Sequence, residues 1–421
     1  MRLVAALLVL CAAPAAAFEV EQLTCAPPTC GVQGTPHLSA DGRRVVIRSS
    51  CDLDAGRNPR GRSQLFRLDA SGTRQLTPGG LAGARCTLDV AGDAALDRLV
   101  AVVTCTRPLR ARLFESRGGR RFRPLGPPVP CDVRLEAGAM SADGRHLVVT
   151  ADCHPGRGTA LRNPPALFVH DAGRSSFVRL PRRDCRGLFP SLDADGGAAT
   201  FVADCDLTGE NPFGHFQLFH YDRAAKAAAQ VSHVIPFHRC GFDQAGGSGL
   251  FVVPSISPDG STVALGHDCV DPTPEPAPPA VVFRWRKDTG ALALTHDYCV
   301  DRPAGNDGSL GLSVVIPPVG LSTDGAAVAF AIACDIATPS GENDVRVFLH
   351  QGGVARELFG YRKPSGVVGI SGVALTPDGD TLAVVADGPV AGCPATGAPQ
   401  LYVLRDLATP ALAATRCACP P

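Results

Sequence analysis

The segment Pro254-Ser-Ile-Ser-Pro-Asp-Gly260, followed by Ser261-Thr-Val-Ala-Leu-Gly266, contains the pattern that most strongly indicates the fold. An Asp-Gly pair between two runs of apolar and β-branched residues is the strongest short signal for a β-hairpin, because glycine readily adopts the positive φ that the turn requires. The signature recurs along the chain, with one degenerate copy at Ala95-Leu96. The other turns are Asp41-Gly42, Asp143-Gly144, Asp195-Gly196, Asp324-Gly325 and Asp378-Gly379.

Each turn lies in a unit of four predicted strands. In the first unit, strands 36–39 and 44–49 flank the turn, and strands 64–68 and 73–77 follow. Seven such units, spaced by roughly fifty to sixty-five residues, predict an all-β, seven-bladed β-propeller with four antiparallel strands per blade. If the degenerate second unit were an insertion, six blades would remain.

The predicted organisation is a signal peptide over 1–17 and a single propeller domain over 18–421. The blades are predicted near 30–79, 86–126, 131–182, 185–233, 240–296, 299–360 and 361–417.

The leader has the features of a secretory signal. Residues 3–10 are apolar, follow Arg2 and lead to three alanines that end at Ala17, which predicts cleavage before Phe18. The apolar stretch is too short to span a membrane. A lipoprotein would be acylated at Cys11, but Leu10 is bulkier than the residue such processing requires. The sequence therefore predicts a periplasmic or secreted protein that does not span a membrane.

The composition limits which classes of partner and which compartment are expected. The chain has 40 basic and 40 acidic residues. This balance implies no basic face, so nucleic acid is not an expected partner. Of the 17 cysteines, removal of the leader takes Cys11 and leaves an even set, as in proteins of oxidising compartments.

The cysteines follow the repeat. In five units a cysteine lies ten residues after the turn aspartate, as Cys51 does after Asp41, and a second cysteine precedes the turn. Folding each hairpin about its turn brings the two to the same end, near disulfide distance. The predicted pairs are Cys30–Cys51, Cys86–Cys105, Cys131–Cys153, Cys185–Cys205, Cys240–Cys269 and Cys299–Cys334.

Four cysteines remain for ring closure: Cys25, Cys393, Cys417 and Cys419. They are expected to tie an N-terminal strand near 20–23, or the C-terminal strand, into the last blade. The seventh unit has Gly388 where the offset predicts a cysteine, and it has no cysteine before its turn. Both members are absent together, as paired residues would be. Zinc or iron–sulfur sites would require closer spacings such as C-x-x-C, so disulfides are favoured.

The turn segments resemble those of a known family. Leu38-Ser-Ala-Asp-Gly42, Leu375-Thr-Pro-Asp-Gly379 and the opening segment are similar to the Ser-Pro-Asp-Gly repeat of TolB-like, WD-like propellers of bacterial envelopes. The segment 203–212, followed by Gln217-Leu-Phe-His-Tyr-Asp222, resembles a longer version in exported bacterial propellers. The resemblance covers the mature chain. It implies a fold and not a function, because the family includes interaction scaffolds, polysaccharide lyases and domains attached to peptidases.

Two long loops, 234–253 and 297–317, are predicted on the face that holds the cysteines. Long loops on a rigid scaffold often carry function, although a disordered insertion is an equal alternative. The disulfides would either rigidify this face for binding or have only a structural role at its outer edge. The predicted contact residues are Asp243, Asp301, Asn306 and Asp307.

The acidic loops that follow the second strands are candidate calcium-binding sites. Asp52 and Asn58 lie in one such loop, and Asp206 and Asn211 in another. Oxygen-rich loops can hold calcium, but Asp and Asn more often build Asx turns, and no copy has a full calcium-loop spacing. We therefore predict no cofactor, with calcium as the alternative.

An enzyme remains a rival interpretation. Histidines gather around the fourth blade, and TolB-like lyases use histidines to hold a metal beside an acidic sugar. They are His215, His220, His233, His238, His267 and His296. His215 and His220 are expected to face opposite sides of a strand region. No Gly-x-Ser-x-Gly elbow and no phosphate-binding glycine loop occurs.

The favoured interpretation is a non-catalytic extracytoplasmic binding or interaction module, a monomer that binds an envelope protein or a glycan. A metal-assisted polysaccharide lyase or hydrolase is the first alternative. A purely structural surface protein is the second. Histidine clustered with Asp or Arg in the central channel would favour the lyase, whereas a channel lined by small apolar residues would disfavour it.

Overall fold

The computed structural model describes residues 17–78, 85–172, 177–180, 185–211, 214, 216–231, 253–266, 282–293, 314–334, 342–364, 369–409 and 411–418. These residues form 29 strands. No helix occurs among them, and hence none with the length and apolarity needed to cross a membrane.

The strands form seven separate sheets, the blades. Six of them consist of four consecutive antiparallel strands, and the seventh consists of the last four strands of the chain together with the N-terminal strand. Blades 1 and 2 contain β2 (Val32–Leu38), β3 (Val45–Ser49), β4 (Gln64–Asp69), β5 (Gly72–Gln75), β6 (Cys86–Gly92), β7 (Arg98–Thr106), β8 (Leu109–Arg117) and β9 (Arg123–Pro124). Blades 3 and 4 contain β10 (Val133–Arg134), β11 (His146–Ala151), β12 (Ala166–Asp171), β13 (Phe177–Leu180), β14 (Gly187–Leu192), β15 (Ala198–Ala203), β16 (Gln217–Asp222) and β17 (Ala227–Gln230).

Blades 5 and 6 contain β18 (Ser255–Ile256), β19 (Thr262–Gly266), β20 (Val282–Arg286), β21 (Gly290–Ala293), β22 (Val314–Leu321), β23 (Val328–Cys334), β24 (Glu342–Gln351) and β25 (Val354–Pro364). Blade 7 contains β26 (Ile370–Leu375), β27 (Leu382–Ala386), β28 (Gln400–Arg405), β29 (Ala411–Arg416) and the N-terminal strand β1 (Ala17–Gln22). The predicted all-β, seven-bladed propeller with four antiparallel strands per blade is thus confirmed. The degenerate second unit is a full blade, in which Leu96 adopts the positive φ of 54° in place of glycine.

The ring is closed by β1, which lies between β28 and β29 and gives blade 7 a fifth strand. β1 pairs antiparallel with β28 and parallel with β29, so both ends of the chain share one sheet. The two candidate closing strands of the sequence analysis therefore act together. A disulfide joins Cys393 to Cys417 in the same blade, and Cys25 is disulfide-bonded as well.

Gln400 fastens the N-terminal segment to blade 7. Its amide oxygen accepts hydrogen bonds from Thr24 Oγ1 at 2.9 Å and from the Ala26 N–H at 2.8 Å. Its amide nitrogen donates to Ala26 O at 2.9 Å, to Ala398 O at 3.1 Å and to Thr396 Oγ1 at 2.6 Å. The side chain is only 1% exposed, so it satisfies buried polar groups that water cannot reach.

We expect Gln400→Ala to lower the free energy of unfolding by about 3 kcal/mol, because truncation leaves several buried donors and acceptors without partners. Urea denaturation followed by fluorescence measures this loss. Gln351→Ala, which removes an exposed glutamine at the end of β24, is the matched control and is expected to change stability by less than about 0.5 kcal/mol. Equal effects of the two changes would contradict this role of Gln400.

Backbone hydrogen bonds join the hairpin turns around the channel. Each turn donates to the turn of the next blade, through Ala40 N to Ala94 O, Ala94 N to Ala142 O, Ala142 N to Ala194 O, Ala194 N to Pro258 O, Asp259 N to Thr323 O, and Thr323 N to Pro377 O, at 2.6 to 3.1 Å. The closing contact between blades 7 and 1 is different, because Arg405 at the end of β28 donates from Nη1 to Gly42 O in the first turn at 2.8 Å. The edge of the propeller that carries these turns is called the turn face below.

The turn glycines are needed for a second reason besides their positive φ. Each lies against a side chain from the start of the second strand of the preceding blade. A Cβ on Gly325 (φ +65°) would lie 2.5 Å from Thr262 Cβ, and a Cβ on Gly42 would lie 2.9 Å from Thr381 Oγ1. The Asp-Gly signature therefore encodes the contact between blades as well as the hairpin.

The opposite edge, called the disulfide face below, is where the first strands begin and the second strands end. Four of the predicted disulfides are present there, one in each of blades 1 to 4: Cys30–Cys51, Cys86–Cys105, Cys131–Cys153 and Cys185–Cys205. Their Cα atoms are 4.0 to 5.9 Å apart, as the hairpin geometry predicts. The predicted partners Cys240, Cys269 and Cys299 lie outside the described residues, as does Cys419.

Candidate functional site

The seven innermost strands surround a central channel, and its half near the turn face forms a cavity of about 230 Å³. Every blade contributes to its wall. Most of the lining is small or apolar, as with Ala137, Val319 and Leu375, and the polar exceptions include His37, Asp93 and Asp193. The lining of this half of the channel thus combines small apolar walls with one histidine and two carboxyl groups.

Charged side chains concentrate instead near the disulfide face, between blades 1, 2 and 3. We call Arg48, Asp89, Arg134 and Glu136 the mouth cluster. Arg48 lies on β3 and passes over Gly34. Its Nη1 atom donates to Leu88 O at 2.6 Å and to Asp89 Oδ1 at 3.2 Å, on the innermost strand of blade 2. This contact joins the second strand of blade 1 to the innermost strand of blade 2.

The carboxyl groups of the mouth cluster are desolvated. Burial, together with the nearby charge of Asp89, raises the pKa of the Glu136 carboxyl to about 7. Burial also raises the pKa of Asp89, against the opposing effect of Arg48. Both carboxylates therefore lie where positive charge does not fully compensate them. Desolvated carboxyl groups with raised pKa values are common at binding and active sites.

A disulfide holds the outer rim of this site. Asp132 and Asp152 adjoin the Cys131–Cys153 disulfide, and the Asp152 N–H donates to Asp132 O at 3.1 Å. The Asp132 carboxylate pairs with Arg134 at 2.7 Å. Burial and the charge of Asp132 raise the pKa of Asp152. The rim and the mouth cluster together therefore have four carboxyl groups and two guanidinium groups, held by a rigid hairpin.

His37 lines the cavity and lies near Arg48 of the mouth cluster. Burial, together with the nearby charge of Arg48, lowers the pKa of its imidazole to about 4. The imidazole is therefore neutral at pH 7 and adds no positive charge to the channel.

Among the described residues, the predicted acidic loops use their carboxylates within the loop. The Asp52 carboxylate accepts hydrogen bonds from the backbone N–H groups of Gly56, Arg57 and Asn58 at 2.7 to 3.2 Å. Asp206 Oδ1 likewise accepts from the N–H of Gly209 at 2.6 Å. These carboxylates thus accept hydrogen bonds from backbone N–H groups three to six residues further along their own loops, which is a longer span than that of an Asx turn.

Of the other residues that the sequence suggested as functional candidates, His220 is buried and the rest lie outside the described residues. His220 is buried, contacts the Trp285 ring at 5.5 Å and forms a hydrogen bond with Gly260 O at 2.9 Å. It therefore links blade 4 to the turn of blade 5. The remaining histidines and the four contact residues lie outside the described residues: His215, His233, His238, His267, His296, Asp243, Asp301, Asn306 and Asp307. These contact residues stay a prediction.

The mouth cluster was not predicted from the sequence, although a signal for it exists. Asp89 stands within a strand whose neighbours are apolar, and Arg48 ends a run of Val and Ile residues. Charged residues inside predicted core strands are candidates for a channel wall. In the part of the chain that the structure describes, no group of three or more His, Cys, Asp or Glu side chains is arranged to hold a metal ion.

No protein-family model matches the chain, and no curated protein matches it. Among solved structures, TolB from Acinetobacter baumannii is 14% identical with a TM-score of 0.40, and the match covers 90% of this chain and 82% of that one. The putative TolB from Agrobacterium tumefaciens is also 14% identical, with a TM-score of 0.39, and the match covers 92% of this chain and 96% of that one.

A third similar structure comes from a study of two prolyl endopeptidases. It is 11% identical with a TM-score of 0.50, and the match covers 90% of this chain and 51% of that one. The present chain thus spans about half the length of that protein. At these identities the likeness concerns the fold alone. The propeller fold that the resemblance to TolB-like proteins implies is confirmed by the seven sheets of the structure, and function must be argued from the site.

Proposed function

We propose that the protein is a non-catalytic extracytoplasmic binding module whose ligand contacts the disulfide face at the mouth cluster. The observation that carries this proposal is the set of desolvated carboxyl groups around Asp89 and Glu136, held beside the Cys131–Cys153 disulfide. A preorganised charged surface binds with little loss of conformational freedom.

The charge of the mouth favours a basic ligand. Four carboxyl groups face two arginines, and the raised pKa values of Asp89, Glu136 and Asp152 indicate that their negative charge is incompletely balanced. Lysine or arginine side chains of an envelope protein would supply the missing charge. An acidic polysaccharide would be repelled, which places the metal-assisted lyase second. A neutral glycan remains the other candidate ligand.

The disulfides support an extracytoplasmic location. Bonds such as Cys30–Cys51 and Cys393–Cys417 persist in oxidising environments. With the proposed signal peptide removed, the mature protein begins at Phe18 and keeps nearly all of β1 for ring closure. We propose that it acts as a monomer in the periplasm or outside the cell.

Crosslinking tests the proposed function. Oxidised protein 18–421 is crosslinked in envelope extracts of the host at pH 8, and captured proteins are quantified by mass spectrometry. We expect a partner that is captured by the wild type and lost from an Asp89→Asn, Glu136→Gln double variant. Since the Glu136 carboxylate becomes protonated as pH falls through about 7, capture by the wild type is expected to decrease several-fold at pH 6. The double variant should show no such decrease.

An Asp288→Asn, Glu357→Gln variant is the matched control, because it removes the same charges at partly exposed sites on outer strands and turns. It should capture the partner as the wild type does. A partner captured equally by both double variants would rule out the mouth cluster. A further variant with Asp243, Asp301, Asn306 and Asp307 changed to Ala tests whether the two long loops belong to the same surface.

A further inference from the structure

We propose that the cavity at the turn face, at the other end of the channel from the mouth cluster, binds a small organic cation through the Asp193 carboxylate. The ligand chemistry is an ammonium or guanidinium group on a short apolar stem. It could arrive as a free amine or as a lysine or arginine side chain.

Asp193 occupies a position where most blades have a hydroxyl. In five turns a serine or threonine lies two residues before the aspartate of the Asp-Gly pair and donates to its carboxylate. These pairs are Ser39–Asp41, Ser141–Asp143, Ser257–Asp259, Ser322–Asp324 and Thr376–Asp378, at 2.6 to 3.0 Å. Blades 2 and 4 have Asp93 and Asp193 at this position instead. An ionised carboxylate has no proton to donate, so it cannot make the hydrogen bond that the serine or threonine hydroxyl makes in the other turns.

The carboxylates of Asp93 and Asp193 differ in the hydrogen bonds that they accept. Asp93 accepts the backbone N–H of Asp97 at 2.8 Å and that of Arg98 at 3.1 Å, one on each oxygen. Asp193 Oδ2 accepts the N–H of Ala198 at 2.9 Å, but Asp193 Oδ1 is buried and has no hydrogen-bond partner. The Asp193 residue is only 7% exposed and lines the cavity. A buried carboxylate oxygen without a donor is costly unless a ligand supplies one.

The cavity has no positive charge of its own to satisfy that oxygen. Its described lining residues include Asp93 and Asp193 but no lysine or arginine, and His37 is neutral because burial lowers its pKa. Burial, with the adjacent carboxylate of Asp195, raises the pKa of Asp193 to about 6, as expected for a carboxyl group that lacks a cationic partner.

The walls indicate an organic cation in preference to a metal ion. The groups around the carboxylates are mainly alanine, glycine, leucine and valine, which suit an apolar stem. A divalent metal requires more oxygen ligands than two separate carboxylates provide. A volume of about 230 Å³ is below that of drug-sized sites, so it fits a side-chain-sized group.

The test uses calorimetry and thermal unfolding of oxidised protein 18–421 at pH 8. The probes are n-butylammonium, as a free amine, and N-acetyl-lysine methylamide, as a side chain on a backbone. Neutral n-butanol and calcium chloride are the controls. We expect both cations to bind and raise the unfolding midpoint, and we expect n-butanol and calcium to do neither. Because Asp193 gains charge as pH rises through about 6, binding should weaken at pH 5. The other titratable groups near the cavity and the adjoining turn are Asp93, Asp195, Asp259, His37 and His220.

Asp193→Ser is the decisive variant, because it restores the hydroxyl of the other blades and should fold normally. We expect it, and Asp193→Asn, to weaken binding at least tenfold, while Asp288→Asn leaves binding unchanged. Equal affinity in the Asp193→Ser variant would overturn the proposal. So would the absence of heat and of a midpoint shift with either cation at millimolar concentration, since Asp193 would then only share a proton with Asp195. Binding of calcium without the amines would also overturn it.

Discussion

Replacing Gly325 by alanine is expected to lower the free energy of unfolding by about 4 kcal/mol, from left-handed backbone strain and overpacking together. The residue has a φ of +65°, where a side chain is strained. A Cβ would also lie 2.5 Å from Thr262 Cβ, on a β-branched residue of the preceding blade that cannot rotate away. Urea denaturation of the purified variant measures the loss.

Alanine variants of two other glycines distinguish the cost of backbone strain from the cost of the steric clash between blades. Gly352 has a similar φ of +61°, but a Cβ added there would have no other atom within 4 Å, so Gly352→Ala should cost only about 1 kcal/mol. Gly379 has a φ of +77° and Ala327 Cβ at 3.1 Å, so Gly379→Ala should fall between the two. If the three variants were equally destabilised, the contact between blades would not contribute, and the turn conformation alone would explain the glycines.

Gly388→Ala is expected to destabilise the protein by about 4 kcal/mol or to prevent its folding, for a reason unrelated to φ. A Cβ at this position would overlap the ring of Tyr361, at distances well under 3.0 Å. Tyr361 is buried on β25 of blade 6, and its hydroxyl donates to Gly369 O. The ring is held at both ends, so it cannot yield without loss of these contacts. Thermal unfolding of the variant measures the effect.

The control for this prediction is Gly156→Ala. Gly156 has an ordinary φ, and a Cβ added there would have its nearest neighbour 3.5 Å away, an ordinary contact. We expect a change of less than about 1 kcal/mol there. A Gly388→Ala variant as stable as the control would mean that Tyr361 moves aside. The structure also explains why blade 7 lacks the cysteine of the repeat, because the Tyr361 ring occupies the space in which that side chain would lie.

Much of the fold could be predicted because the signals are local. Each hairpin is specified by an Asp-Gly pair and its flanking strands, and the cysteines of a disulfide such as Cys131–Cys153 are joined by that same hairpin. Such pairs are only 19 to 22 residues apart in the described blades 1 to 4. Strand period and turn geometry therefore determine both the register and the pairing, without knowledge of how the blades pack.

The candidate sites could not be predicted in the same way. Arg48 meets Asp89 across 41 residues, and whether these groups face the channel depends on how blade 1 packs against blade 2. An alignment of the seven turns shows from the sequence alone that Asp193 stands where most turns have serine or threonine. It does not show that one carboxylate oxygen of Asp193 lacks a hydrogen-bond partner, because this depends on the cavity formed by all the blades.

The all-β class, the repeat, the hairpins and the disulfides within blades could be predicted from the amino-acid sequence, because these follow from interactions between residues near one another in the chain. The insertion of β1 into blade 7 between β28 and β29 is instead a result of how the blades pack. The same packing sets which charged side chains come together. Both depend on closing the ring, which brings residues as far apart as Thr24 and Gln400 into contact, and no local pattern specifies that closure.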